Sequence, residues 1–146
     1  KKNVKVIYLS TNYVYPGTKG NYSELDAVKP WNNYGWSKLG GECAVQMYNN
    51  SLIIRLSMTE KPFIHKYAFK DQISNFTFHE DIVKKFPKIL KLKGIINLGG
   101  KSQSVFKFAK KYNKQVKGIY SFKILKKKIP LNHSMNLSKL NKILNK

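Results

Sequence analysis

The sequence predicts an α/β protein built on a parallel sheet. Three short apolar runs, Lys5–Ser10, Ser51–Leu56 and Gly94–Leu98, are rich in β-forming residues and read as buried strands. Segments of helical spacing lie between and after them, and neither an internal repeat nor a low-complexity linker interrupts the alternation. At 146 residues and 42% hydrophobic content the chain can bury one core of ordinary size.

The elements follow in order. The first run, Lys5 to Ser10, needs partners on both edges. A turn-rich stretch comes next, Pro16-Gly17-Thr18-Lys19-Gly20-Asn21. Asn32 and Asn33 are suited to cap a helix from about Tyr34 to Tyr48, with Leu39, Cys43 and Met47 on its buried side. Asn49-Asn50 stops it before the second strand. Ser57 to Phe78 reads as loop. A helix is expected from His79 to Leu92, kinked or split at Pro87. The third strand ends in the Gly99-Gly100 turn. Val105 to Asn113 has an apolar helical face of Val105, Phe106, Phe108, Ala109 and Tyr112, which reads as core. Ile119 to Ile129 is expected to be extended, and Leu137 to Leu144 a terminal helix.

The formal charge is +21, and it is unevenly placed. Every acid lies at or before Asp81, so residues 1–81 carry +3 and residues 82–146 carry +18. Arg55 is the single arginine among 28 basic residues. Phosphate-reading surfaces favour the bidentate arginine fork, and Lys, Asn and Ile are abundant together, as an A/T-rich genome would produce. Composition therefore explains the charge better than a nucleic-acid partner does. One cysteine, Cys43, excludes an internal disulfide and reads as a small core residue. His65, His79 and His133 are too scattered to make a metal set with it. His79-Glu80-Asp81 reads as a polar helix start, and Ser10, Ser37 and Ser57 lack a nucleophile elbow. No run reaches the ~18 apolar residues of a membrane span. These features predict a cytoplasmic protein with no membrane partner.

Tyr34-Gly35-Trp36-Ser37-Lys38 places Tyr34 and Lys38 four apart on one helical face. A tyrosine hydroxyl, with a reference pKa of about 10, becomes a usable acid or base when an ammonium stabilises its phenolate. A hydroxyl at a strand end, from Ser10 or Thr11, could then position a carbonyl oxygen beside it. With nine tyrosines in a lysine-rich chain, the bare pair is weak and on its own reads more readily as a surface pair.

Its surroundings are more specific. Ser10-Thr11-Asn12-Tyr13-Val14-Tyr15 follows a strand, then Tyr22-x-Glu24-x-Asp26. Pro30-x-Asn32-x-Tyr34-Gly35-x-Ser37-Lys38-Leu39-x-Gly41-Glu42 comes after that. This series resembles the extended short-chain dehydrogenase/reductase superfamily, nearest its dTDP-4-dehydrorhamnose reductase-like branch. Leu52-Ile53-Ile54-Arg55, Gly94 to Gly100 and Asn136-x-Ser138-Lys139-Leu140 continue the likeness less specifically. The resemblance implies the C-terminal portion of a Rossmann-like parallel sheet with flanking helices, plus a small substrate-side region. Residues 1–57 would carry the sheet and the Tyr-x-x-x-Lys helix. Residues 58–146 would form the substrate side, packed with the first part as one unit.

The resemblance also implies roles. Tyr34 would donate a proton to a sugar keto oxygen, and Lys38 would lower its pKa and bind the nicotinamide ribose of NAD or NADP. Thr11 would orient the carbonyl, Ser10 would stand with Tyr34 and Lys38 at the cofactor, and Thr11, Asn12 and Tyr13 would face a nucleotide sugar. Asn12 replaces the Asp common in the branch, and Met58 stands where a nucleotide-stacking Trp is frequent. Asn12-Tyr13 also lacks the Asp-Glu pair of the related dehydratases. Trp31 and Trp36 could touch substrate or simply pack. The expected reaction is reduction of a nucleotide-linked 4-keto-deoxysugar, with epimerisation or a non-catalytic binding module as alternatives. Neither G-x-x-G-x-x-G nor G-x-G-x-x-G occurs, and the chain opens Lys1-Lys2-Asn3 without a Met. A fragment is expected, or a chain whose Gly-rich half is a separate polypeptide.

Overall fold

The computed structural model describes residues 3–145. Its centre is a three-stranded parallel sheet in the order β1 (Val6–Thr11), β2 (Ser51–Leu56), β7 (Gly94–Leu98). Tyr8 lies opposite Ile53, and Ile53 opposite Ile95, which fixes the register. All six residues of β2 are buried, Arg55 among them, as expected of the central strand of a parallel sheet covered on both faces. Leu52, Ile54, Ile96 and Leu98 meet Ile82, Ile89 and Leu140 in the main core. β1 is an edge strand, and Val6, Ile7 and Leu9 remain exposed along it, with Val4 63% exposed just before it.

Helix α1 (Asn33–Gln46) returns the chain from β1 to β2. The side chain of Asn32 accepts from Gly35 N at 2.7 Å, so the expected cap is present. The buried side of α1 differs from the expected one. Cys43 is exposed and Met47 is 88% exposed, whereas Gly35 and Glu42 are buried and Leu39 is half-buried. A salt bridge and two close backbone approaches orient the helix, as described below, and they outweigh its weak apolar stripe.

The segment expected as loop contains four short strands, β3 (Met58–Thr59), β4 (Tyr67–Phe69), β5 (Ile73–Ser74) and β6 (Thr77–Phe78). β3 pairs with β6, β4 with β9 (Lys117–Ile119), and β5 with β8 (Gln103–Ser104). The helix expected around Pro87 is split into α2 (His79–Val83) and α3 (Phe86–Ile89), with Glu80 and Asp81 in the first turn of α2. α4 (Val105–Tyr112) is capped by Ser104 and buries Val105, Phe108 and Ala109 against Phe63, Ala68, Phe78 and Val116. Tyr112 stays about half exposed. The expected extended run at Ile119–Ile129 is corrected. Only its first residue is in a strand, and α5 (Ser121–Leu125) follows, because Asp71 accepts from both Ser121 N and Ser121 Oγ. α6 (Ser138–Leu144) closes the chain against β7. Among the described residues no helix is long and apolar enough to cross a membrane, and no cluster of His, Cys, Asp and Glu could hold a metal ion.

Candidate functional site

Helix α1 lies close against β1 and the residues that follow it, and two of its glycines make this possible. A Cβ on Gly35 would lie 2.6 Å from the Tyr13 carbonyl oxygen, and one on Gly41 would lie 2.2 Å from the Tyr8 hydroxyl. Real Cβ atoms do not approach backbone oxygen so closely, so a side chain at residue 35 would push Tyr34 away from β1. Tyr8 in turn donates to the Lys38 carbonyl oxygen at 3.3 Å.

Lys38 Nζ donates to the Leu9 carbonyl oxygen at 2.9 Å and stands 5.2 Å over the Tyr8 ring. The Lys38 ammonium is thus fixed near the C-terminal end of the edge strand. Tyr34, one turn earlier, is 52% exposed and packs edge-on to Tyr13 with ring centroids 6.3 Å apart. Ser10, Thr11, Asn12, Tyr13 and Tyr34 share a cavity of about 180 Å³ with Met58 and His79. All of the expected residues except Lys38 line it.

The hydroxyls and amides around the cavity are unequally free. Thr11 Oγ1 accepts from Tyr13 N at 3.2 Å and makes a long 3.4 Å bond to Asn12 Oδ1. Asn12 Nδ2 donates to Ser74 Oγ at 3.0 Å and to the His133 carbonyl oxygen at 3.1 Å, so Asn12 ties β1 to the C-terminal segment. Ser10 Oγ is turned inward and donates to Glu42 Oε1. Glu42 is fully buried and also takes Arg55 Nε at 3.1 Å and Nη2 at 2.8 Å. Arg55 Nη1 reaches Tyr15 Oη, which donates to Asn97 Oδ1. Burial works against the Arg55 charge, yet bonding to Glu42 raises its pKa above the usual value. Burial raises the Tyr15 hydroxyl despite the same arginine.

Tyr13 separates this cavity from a larger one of about 530 Å³, whose walls include Phe63, Tyr67, Phe69, Phe76 and Lys66. Burial raises the Tyr13 hydroxyl pKa, and the nearby Tyr34 adds to the rise. Behind Tyr13 stand Trp31 and a residue that sequence reasoning assigned no role, His133. The His133 ring lies 4.9 Å from Tyr13 and is held neutral, its pKa lowered by burial to about 4. Trp31 packs at this cluster, whereas Trp36 is exposed. Glu42 was quoted in the motif but given no task. The single arginine, set in an otherwise apolar strand, was the signal that a carboxylate had to meet it there, and Glu42 on the preceding helix was a candidate.

Comparison with known proteins bears on the fold and the family. Residues 1–62 match a family model described as the RmlD substrate binding domain. The probable low-salt glycan biosynthesis reductase of Haloferax volcanii is 47% identical over 58 residues, 38% of this chain and 19% of that protein. Over 97% of its length the chain superposes on the dTDP-4-dehydrorhamnose reductase of Bacillus anthracis solved with NADP. The TM-score is 0.82 at 25% identity, and 59% of that chain is covered. A hypothetical dTDP-4-dehydrorhamnose reductase from Sulfolobus tokodaii gives 0.81 at 28% identity over the same shares.

Over residues 1–62 the chain is similar to the RmlD substrate binding domain, and its fold is that of the dTDP-4-dehydrorhamnose reductases it superposes on. As in those reductases, parallel strands form its central sheet and helices flank it. The chain spans about three-fifths of the solved relatives and about a fifth of the first curated one.

Proposed function

We propose that the chain carries the catalytic and substrate-facing part of a cytoplasmic NADH- or NADPH-dependent reductase. Its substrate would be a 4-keto-deoxysugar linked to a nucleoside diphosphate. The observation that carries this reading is the meeting of Tyr34 and the Lys38 helix with Thr11 and Tyr13 at the end of β1, around one small cavity. The superposed relative solved with NADP supports the cofactor class, and the names of the matched reductases support the reaction class.

The residues present fit the reactive end of a dinucleotide. Lys38 and Tyr34 stand beside the outer edge of β1, one as a cation bonded to the Leu9 carbonyl oxygen and one as a half-exposed hydroxyl. They offer no cradle for the pyrophosphate. Cβ positions on Gly99 and Gly100 would strike the Asn75 and Phe76 carbonyl oxygens at 2.7 and 2.5 Å, so these glycines close on backbone. Gly40 and Gly41 lie inside α1. The β1 edge is where a strand bearing a Gly-rich turn would pair, whether from the same polypeptide or from a separate one.

The bound nicotinamide would supply hydride. Thr11 Oγ1 would hold the keto oxygen, Tyr34 would give it a proton, and Lys38 would bind the nicotinamide ribose and keep positive charge on the same helix face. Tyr13 would bound the sugar, with the larger aromatic cavity beyond it taking the nucleotide. The test is to supply a Gly-rich half and follow NADPH absorbance with a nucleotide-linked 4-keto-deoxysugar. Stoichiometric oxidation is expected. Sugar isomerisation without net oxidation would make the protein an epimerase, and cofactor binding without either would leave a binding module.

A further inference from the structure

The seven residues Phe122 to Lys128 are all exposed, and they mix two kinds of side chain that rarely share open surface without a reason. Phe122 is 58% exposed, and Ile124 and Leu125 also face water, as does Tyr120 just before them. Phe122 and Leu125 are three apart on α5 and therefore neighbours on one face. Lys123, Lys126, Lys127 and Lys128 are interleaved with them. None of these apolar side chains belongs to any of the three cores.

The segment is displayed on a firm base. β9 pairs with β4, Lys70 N donates to the Ile119 carbonyl oxygen at 2.9 Å, and Asp71 holds Ser121. The Asp71 carboxylate is turned onto Ser121, and no acid follows Asp81 in the chain. A lysine-rich composition accounts for the number of lysines, but not for Phe, Ile and Leu held in water among four of them.

We infer that Tyr120–Lys128 is a docking surface for an anionic lipid bilayer. Phe122 and Leu125 enter the boundary between headgroups and acyl chains, Ile124 flanks them, and the four lysines lie among acidic headgroups. Lysines act there as point charges and need no arginine fork. A nucleic-acid surface fits less well, because residues 82–146 contain no arginine and Ile124 and Leu125 offer no ring to a base. The expectation of no membrane partner rested on the lack of a spanning segment, which surface binding does not need. This inference is independent of the catalytic reading.

Sedimentation of the purified protein with lipid vesicles tests it. Vesicles of phosphatidylcholine with roughly one-third phosphatidylglycerol should carry the protein down at physiological salt, and phosphatidylcholine alone should not. Each lysine contributes about fivefold in partitioning, so Lys126→Gln, Lys127→Gln and Lys128→Gln together should weaken it roughly 100-fold. Phe122→Ser with Leu125→Ser should also weaken it while the circular dichroism stays unchanged. Equal sedimentation with neutral vesicles would overturn the proposal, since that would report adhesion through the apolar β1 edge. An unaffected lysine variant, or binding to single-stranded RNA with none to vesicles, would overturn it as well.

Discussion

Arg55 on β2 grips Glu42 on α1 through Nε at 3.1 Å and Nη2 at 2.8 Å, with both side chains almost wholly excluded from water. Ser10 adds a third bond to the same carboxylate, so strand, helix and strand converge on one buried charge. Lys38 lies one turn before Glu42 and Tyr34 two turns before it, and the pair therefore sets how α1 is rotated over β1. Breaking a buried pair on one side leaves an uncompensated charge and costs roughly 3–5 kcal/mol. Arg55→Met or Glu42→Leu alone should lower stability by that order in urea unfolding. The double replacement should recover a large part of the loss. Additive losses in the double variant would contradict the pairing.

The two glycines of α1 that meet opposite surroundings give a second prediction. Gly40 has open space where a Cβ would go, so Gly40→Ala should stabilise by up to about 1 kcal/mol through helix propensity. Gly35→Ala would set a methyl 2.6 Å from the Tyr13 carbonyl oxygen and should destabilise by about 1–3 kcal/mol. Thermal melts of the two variants should shift in opposite directions.

His133 predicts a pH dependence of stability. Burial lowers its pKa from 6.5 to about 4 in the folded chain, so the unfolded chain takes up a proton first as pH falls. The stability contribution is fully present above about 6.5 and is lost as pH drops towards 4, by roughly 3 kcal/mol at most. Urea midpoints measured across that window should fall for the natural sequence. His133→Leu should remove this part of the slope, and an unchanged slope would assign it to other groups.

The exposed edge of β1 predicts self-association. Val6, Ile7 and Leu9 are exposed on an edge strand that, among the described residues, pairs with no strand on its outer side. Leu9→Lys should reduce light scattering at high protein concentration with little change in circular dichroism. Equal scattering would place the adhesive surface elsewhere.

The three main strands and the Asn32 cap were legible because each depends on local pattern: continuous apolar runs and an Asn just before a helix. The buried side of α1 was not, since Leu39, Cys43 and Met47 make a plausible stripe while long-range bonds to Glu42 decide the rotation. α5 was hidden for a similar reason. Ser121-Phe122-Lys123-Ile124 alternates like a strand, and the helix is begun by Asp71, 50 positions away. The pairings of β3 with β6 and β5 with β8 likewise join short segments whose partners no local window contains. Around the small cavity, Tyr34, Thr11 and Tyr13, with Lys38 nearby, had been singled out through the resemblance that their motif carries. The ring of His133 behind Tyr13 was not, because 120 residues separate the two.

The most direct test of the central claim is Tyr34→Phe in the protein completed with a Gly-rich half, assayed by NADPH oxidation with a nucleotide-linked 4-keto-deoxysugar. Loss of one phenolic oxygen should lower turnover by about 10²-fold or more while nucleotide-sugar binding stays within twofold, as expected for a positioned proton donor. Turnover within twofold of the natural protein would mean that Tyr34 is not the acid, and the reductase reading of this site would fall with it.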